Sequence, residues 1–173
     1  VTNQPLASYN IGSQWSTYVQ ARPGEPWGVI VGKGMVRRES DNAIIVDAGG
    51  MPRLQSNLIL GNVNPDWLAG IRNDFSYKGL SFGFMIDLRK GGDIFSISHM
   101  FGTYSGLTEF TAEGEFRRDG LVLGKDFMKD EKFVKITEQD PDDIQNSQFA
   151  ENDIVVGAQD FFESYYSNRE LSV

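Results

Sequence analysis

The chain has 173 residues, enough for one ordinary core, and 40% of them are hydrophobic, too many for a disordered chain and too few for a helical membrane protein. Its net charge of −8 speaks against nucleic acid as a partner, since phosphate binding needs a basic surface, and the absence of cysteine removes disulfides and thiolate chemistry. No apolar run approaches the ~18 residues of a spanning helix, a criterion that does not apply to a transmembrane barrel, whose short strands alternate polar with apolar.

Val1 has no basic-then-apolar leader behind it, so the chain reads as a mature start or as a stretch of something longer. The excess of 19 Gly over 6 Pro, with abundant Phe and Tyr, favours β structure. From Tyr9 to Val31, the prolines and glycines Pro23, Gly24, Pro26 and Gly28 break short extended pieces. The apolar runs Gly28–Gly32 and Ala43–Asp47 flank the polar stretch Arg37–Asn42, which predicts a hairpin, with a turn at Gly49-Gly50 and Pro52 closing the second run. Asn62–Pro65 reads as a turn.

The next stretch alternates. Trp67, Ala69, Ile71, Asn73, Phe75 and Tyr77 share one face of a strand, and Leu68, Gly70, Arg72, Asp74 and Ser76 share the other. After a turn at Lys78-Gly79, Leu80, Phe82, Phe84, Ile86 and Leu88 share a face, opposed by Ser81, Gly83, Met85, Asp87 and Arg89. Each strand is about 10 residues, twice the usual soluble length and what a tilted membrane strand requires. Trp67 and Tyr77 would stand roughly 33 Å apart along the strand. A tilt of about 40° projects this to roughly 25 Å, the height of the apolar band between the aromatic girdles of outer-membrane barrels.

Beyond Gly91-Gly92 the alternation fades. Thr108–Asp130 holds glycine turns and short apolar runs such as Leu121–Leu123, Asp126–Asp153 is charge-rich and reads as a long solvated loop, and one short helix is expected over Ala158–Asn168. No internal repeat or low-complexity tract is evident.

Three motifs follow one another in order: Leu60-Gly61-Asn62-Val63-Asn64-Pro65-Asp66-Trp67, then Gly70, Asn73, Phe75 and Tyr77-Lys78-Gly79, then Arg89-Lys90-Gly91-Gly92-Asp93. Upstream stand Gly24-Glu25-Pro26-Trp27-Gly28 and Val46-Asp47 with Gly50-Met51-Pro52. This text resembles the SusC/RagA family of TonB-dependent outer-membrane transporters, convincingly from about Arg22 to Phe95 and loosely to the end. The resemblance implies an all-β fold: an internal fragment from the C-terminal half of a large plugged barrel, with long antiparallel strands, long extracellular loops and one short helix. It divides the chain into an extracellular region with a short hairpin (1–65), two transmembrane strands joined by a short periplasmic turn (66–90), and a long extracellular loop (91–173). It further implies a Gram-negative outer-membrane location and import of glycan or peptide breakdown products. A SusD-like surface lipoprotein would be the partner, TonB would act through the parent chain, and lipid would cover the barrel.

On that reading Arg72, Asp74, Asp87 and Arg89 would line the lumen, touching substrate or pairing with one another and with the plug. Phe161, Phe162, Tyr165 and Tyr166 could stack on a sugar, dock a partner, or simply pack their helix on its neighbours. No residue is assigned to catalysis, and neither cofactor nor metal is expected. His99 is the single histidine, so no histidine-based triad or metal site can be built, and it reads as a loop residue. Gly28–Gly34 lacks the Gly-Lys-Ser/Thr ending of a phosphate loop and reads as strand and turn. Glu138, Asp140, Asp142 and Asp143 offer hard oxygen ligands for calcium, but match no loop motif and are interrupted by Pro141. Glu113, Glu115 and Asp119 could supply paired carboxylates, a criterion that any acidic chain satisfies. The rival reading is a soluble secreted β-rich carbohydrate- or protein-binding domain that buries the Leu80–Leu88 face in its own core.

Overall fold

A computed structural model describes residues 7–112, 114–140, 143–167 and 173, the side chains of 165–167 aside. The protein is mostly strand, as expected, and among the described residues its strands form four separate sheets rather than a closed barrel.

The first sheet runs in the order β1 (Tyr9–Gln14), β2 (Thr17–Ala21), β3 (Val29–Met35), β5 (Leu54–Asn62), antiparallel throughout. β4 (Ile44–Val46) leaves this sheet. The expected hairpin between the two apolar runs therefore exists only at its tip. Arg38 N–H donates to Ala43 O and Ile45 N–H to Val36 O, and Arg37 bridges Ile44. Val29–Val31 instead lies between β2 and β5, and β4 pairs in parallel with β9 (Phe133–Glu138), Ile44 opposite Phe133. The Ala43–Val46 run is apolar on both faces because it is buried on both, as a parallel strand is. Ile44 and Val46 face a core with Leu121, Leu123, Phe133 and Phe161, while Ala43 and Ile45 face a second core with Val134. The expected turn at Gly49-Gly50 is present, Gly50 N–H donating to Asp47 O and Pro52 bridging Val46. Gly28–Gly34, as expected, carries a strand.

The charge-rich stretch 126–153 is not a solvated loop. It contains β9 and β10 (Gln148–Glu151), antiparallel to each other, and Phe133 and Val134 are buried. Its charges sit at the rims: Arg37 pairs with Glu131 at 3.0 Å, and Asp41 is gripped by Arg38 at 2.6 Å and by Lys132. Arg38, with Lys132 beside it, holds the Asp41 carboxyl well below the usual carboxylate range.

The expectation of one short helix is also corrected. Besides α3 (Ala158–Ser167), close to the anticipated span, there are α1 (Ile97–Tyr104) and the single turn α2 (Phe116–Asp119). Ser96 caps α1 by accepting from the His99 N–H at 3.1 Å. His99 is thus a helical residue, its ring 5.8 Å from that of Phe110. β8 (Leu121–Val122) pairs with β11 (Val155–Val156), and buried Asn152 ties the region together, its amide donating to Leu123 O at 3.1 Å. Among the described residues no helix is long and apolar enough to cross a membrane.

Candidate functional site

The element that stands apart is a ribbon, β6 (Trp67–Tyr77) and β7 (Leu80–Lys90), whose strands match the alternating segments. Lys78 and Gly79 both have positive φ, +46° and +87°, the backbone of a two-residue turn that follows the right-handed twist of its strands. That turn sets an unbroken register from Tyr77 opposite Leu80 to Trp67 opposite Lys90. Side chains opposite one another in this register share a face, so Ile71 meets Ile86 and Phe75 meets Phe82. The rings of Phe75 stack on Phe82 and Phe84 at 6.4 and 6.3 Å. Every residue of both strands is exposed, and among the described residues neither strand pairs with any other strand.

The opposite face carries the residues expected to line a lumen. Arg72 Nε donates to Asp74 Oδ2 at 2.9 Å on the same strand. Asp74 lies across from Gly83, and a Cβ there would meet the Asp74 carboxylate at 2.6 Å. Asp87 lies across from Gly70. Arg89, across from Leu68, turns to the hairpin base and donates to Val63 O at 3.2 Å. The four share one face, but only Arg72 and Asp74 are brought into an ion pair with each other. Leu68 and Met85 interrupt their polarity.

The motifs quoted on either side of the ribbon converge at its base, a role that sequence reading leaves unassigned. Asp66 N–H donates to Lys90 O at 2.8 Å, and Asp93 N–H to Asn62 O at 2.7 Å. Asn62 N–H returns a bond to Asp93 Oδ2 at 2.8 Å. Val63 N–H donates to Gly28 O at 3.0 Å, and the Asn64 amide donates to Trp27 O. Glycine is required where these chains touch. A Cβ at Gly61 would meet Asp93 Cγ at 2.8 Å, and one at Gly91 would meet Asp66 Cγ at 2.7 Å. The regular spacing of Gly-Asn-x-Asn-Pro-Asp before the ribbon and Gly-Gly-Asp after it is the signal that two chain segments cross here.

The remaining candidates are resolved by their surroundings. Phe161 and Phe162 are 1% and 4% exposed, packed edge-on to each other and to Phe127. They pack in the larger core, as expected for a helix resting on its neighbours; the side chains of Tyr165 and Tyr166 lie outside the described residues. Glu138 accepts from the Gln148 amide at 2.7 Å, Asp140 from Asp143 N–H at 3.1 Å, and Asp143 caps a short turn through Gln145 N–H. Asp142 and Pro141 lie outside the described residues. Among the described residues no group of three or more His, Cys, Asp or Glu side chains could hold a metal ion. Glu115 and Asp119 both pair with Arg118, which lowers the Asp119 carboxyl's affinity for protons; Glu113 lies outside the described residues.

No family model matches the chain, and no curated protein matches it.

Proposed function

We propose that this chain is part of a TonB-dependent outer-membrane transporter that imports glycan or peptide breakdown products with a SusD-like surface lipoprotein. The observation that carries the reading is the ribbon's exposure on both faces and both edges. A two-stranded hairpin is marginal by itself in water, and a continuous stripe of Ile71, Phe75, Phe82, Phe84, Ile86 and Leu88 open to solvent demands a cover. Lipid covers such a stripe in a barrel wall, neighbouring strands take up the edges, and the face bearing Arg72 and Asp74 turns to the lumen. The short Lys78-Gly79 turn then lies on the periplasmic side, and the body built from β4, β8, β9 and α3 lies at the outer mouth.

The rival, a soluble β-rich binding domain, draws on that same body, which has a core needing no lipid. In that case protein covers the stripe. Because the chain has no cysteine, single cysteines placed along 80–90 can each carry a nitroxide label without background. With the protein folded in lipid bilayers, labels at positions 82, 84 and 86 should be relaxed by oxygen, which partitions into lipid, and labels at 85 and 87 by a water-soluble nickel chelate. Oxygen and nickel accessibilities that do not alternate along the strand would defeat the membrane reading.

A further inference from the structure

A cavity of about 290 Å³ opens on the first sheet where β2, β3 and β5 run side by side, and its polar lining is Ser16, Tyr18, Gln20, Lys33, Ser56 and Asn57. No carboxylate lines it, in a chain whose net charge is −8. The backbone is distorted at this point. The β3–β5 register shifts between Gly32 opposite Leu58 and Gly34 opposite Gln55, so the single residue Lys33 stands across from two, Ser56 and Asn57. Such a bulge re-aims side chains that a regular ladder would hold. Asn57 takes φ +68°, a conformation that residues with a Cβ rarely adopt. A chain of hydrogen bonds fixes it there. Arg22 donates to Asn57 Oδ1 and, at 2.8 Å, to Gln20 Oε1, and Gln20 Nε2 donates to Asn10 Oδ1 at 2.7 Å.

We infer that this cavity is a binding site for a tetrahedral oxyanion, a phosphate or sulfate group. The hydrogen-bonding inventory decides the sign of the ligand's charge. Gln20 is engaged at both ends, its oxygen by Arg22 and its amide by Asn10. Asn57 has given its oxygen to Arg22, so what it offers a ligand is its NH2 group, with two donors. Lys33 adds three donors and a full positive charge, and among the described residues it has no carboxylate partner. The Ser16, Tyr18 and Ser56 hydroxyls can each donate as well. A cation would meet Lys33 as a like charge with no acidic group to hold it, and a neutral ligand would gain nothing from that charge. Arg22, one hydrogen bond behind Asn57, adds a second positive charge to the local field. The shape of the donor set decides the rest. Donors come from β2 and the turn before it, from β3 and from β5. A tetrahedral oxyanion presents acceptors in several directions and suits that spread, whereas a planar carboxylate presents two oxygens in one plane. The inference does not depend on the transporter reading.

Isothermal titration calorimetry of the whole chain at fixed ionic strength tests this, with inorganic phosphate, sulfate, methyl phosphate and acetate as ligands. Phosphate and sulfate should bind at one site per chain, about tenfold or more tighter than acetate. Methyl phosphate binding as tightly as phosphate makes the ligand a group carried on an ester, and binding of the inorganic ions alone makes it the free ion. Lys33→Gln should lower phosphate affinity about tenfold, and Lys33→Arg should keep most of it. Asn57→Asp is the sharper variant. It keeps an oxygen for Arg22 and replaces the two donors by a negative charge, so a merely structural Asn57 would tolerate it. Its thermal midpoint should hold or rise while phosphate affinity falls about tenfold or more. Lys78→Gln, at the tip of the ribbon, should leave affinity unchanged. No binding of either oxyanion, acetate bound as tightly, unchanged affinity in Asn57→Asp, or an equal loss in Lys78→Gln would overturn the proposal.

Discussion

Gly61 and Asp93 lie in contact across the base of the ribbon, the Asp93 carboxylate occupying the space a side chain at Gly61 would need. Asp93 is held there from both ends, its N–H donating to Asn62 O and its carboxylate accepting from Asn62 N–H, so the carboxylate cannot simply swing away. Gly61→Ala should destabilise the protein by about 1–3 kcal/mol, the usual cost of overpacking. Asp93→Ala should relieve part of it, making the double variant more stable than the sum of the singles allows. Urea midpoints of the four proteins measure the coupling, and strict additivity would contradict this contact.

Phe161 packs at the centre of the larger core with Ile44, Val46 and Phe133. Phe161→Ala should cost about 3–5 kcal/mol, the range for truncating a buried phenylalanine. A side chain serving mainly as a docking surface would lose binding and leave the unfolding midpoint in place, so denaturant titration of the variant separates the two roles.

Acid should act through Asp41. Its pKa is lowered in the folded state by Arg38 first and Lys132 second. A group with a depressed folded pKa contributes stability that is complete above its unfolded value of about 4 and disappears as pH falls further. The loop at Arg38–Ala43 and its tie to β9 should therefore loosen only below pH ~4. Asp41→Asn should be less stable than wild type at neutral pH and should lose less of its stability on acidification. Denaturant midpoints across that range test this, and parallel curves for the two proteins would assign the acid sensitivity elsewhere.

Depth dependence tests the proposed lipid face. Phe84 is mid-strand, so in a bilayer Phe84→Arg should cost about 2–4 kcal/mol, falling to ~0–1 at Leu80 and Leu88 near the interfaces. Met85 points to the other face, so Met85→Arg should cost clearly less. Urea titration of the lipid-folded protein reads the series. Equal penalties at Leu80, Phe84 and Leu88 would count against lipid.

The ribbon is legible in the sequence because everything that makes it is local. The alternation decides which side chains share a face, and Lys78-Gly79 decides the turn, which in turn decides the register. Among the described residues the ribbon pairs with no other strand, so it leaves no long-range pairing to misjudge. The body made by residues 35–52 and 97–162 is the opposite case. Ala43–Val46 is apolar at every position, a pattern equally suited to a hairpin arm or to a buried parallel strand. The nearby run Val29–Val31 makes the hairpin look natural, but burying β4 on both faces requires Phe133 and Val134 from far along the chain. The charges of 126–153 disguise β9 because only its inward residues are apolar, while Lys132, Lys135 and Glu138 reach the surface. α1 was likewise hidden, its eight residues too short to display a helical period and announced only by the Ser96 cap. Periodicity and turn chemistry alone therefore determine the ribbon, whereas the core that buries Phe161, the crossing of Gly61 with Asp93 and the cavity on the first sheet exist only once distant segments meet, because burial is a property of the assembled surfaces and not of any window of the chain.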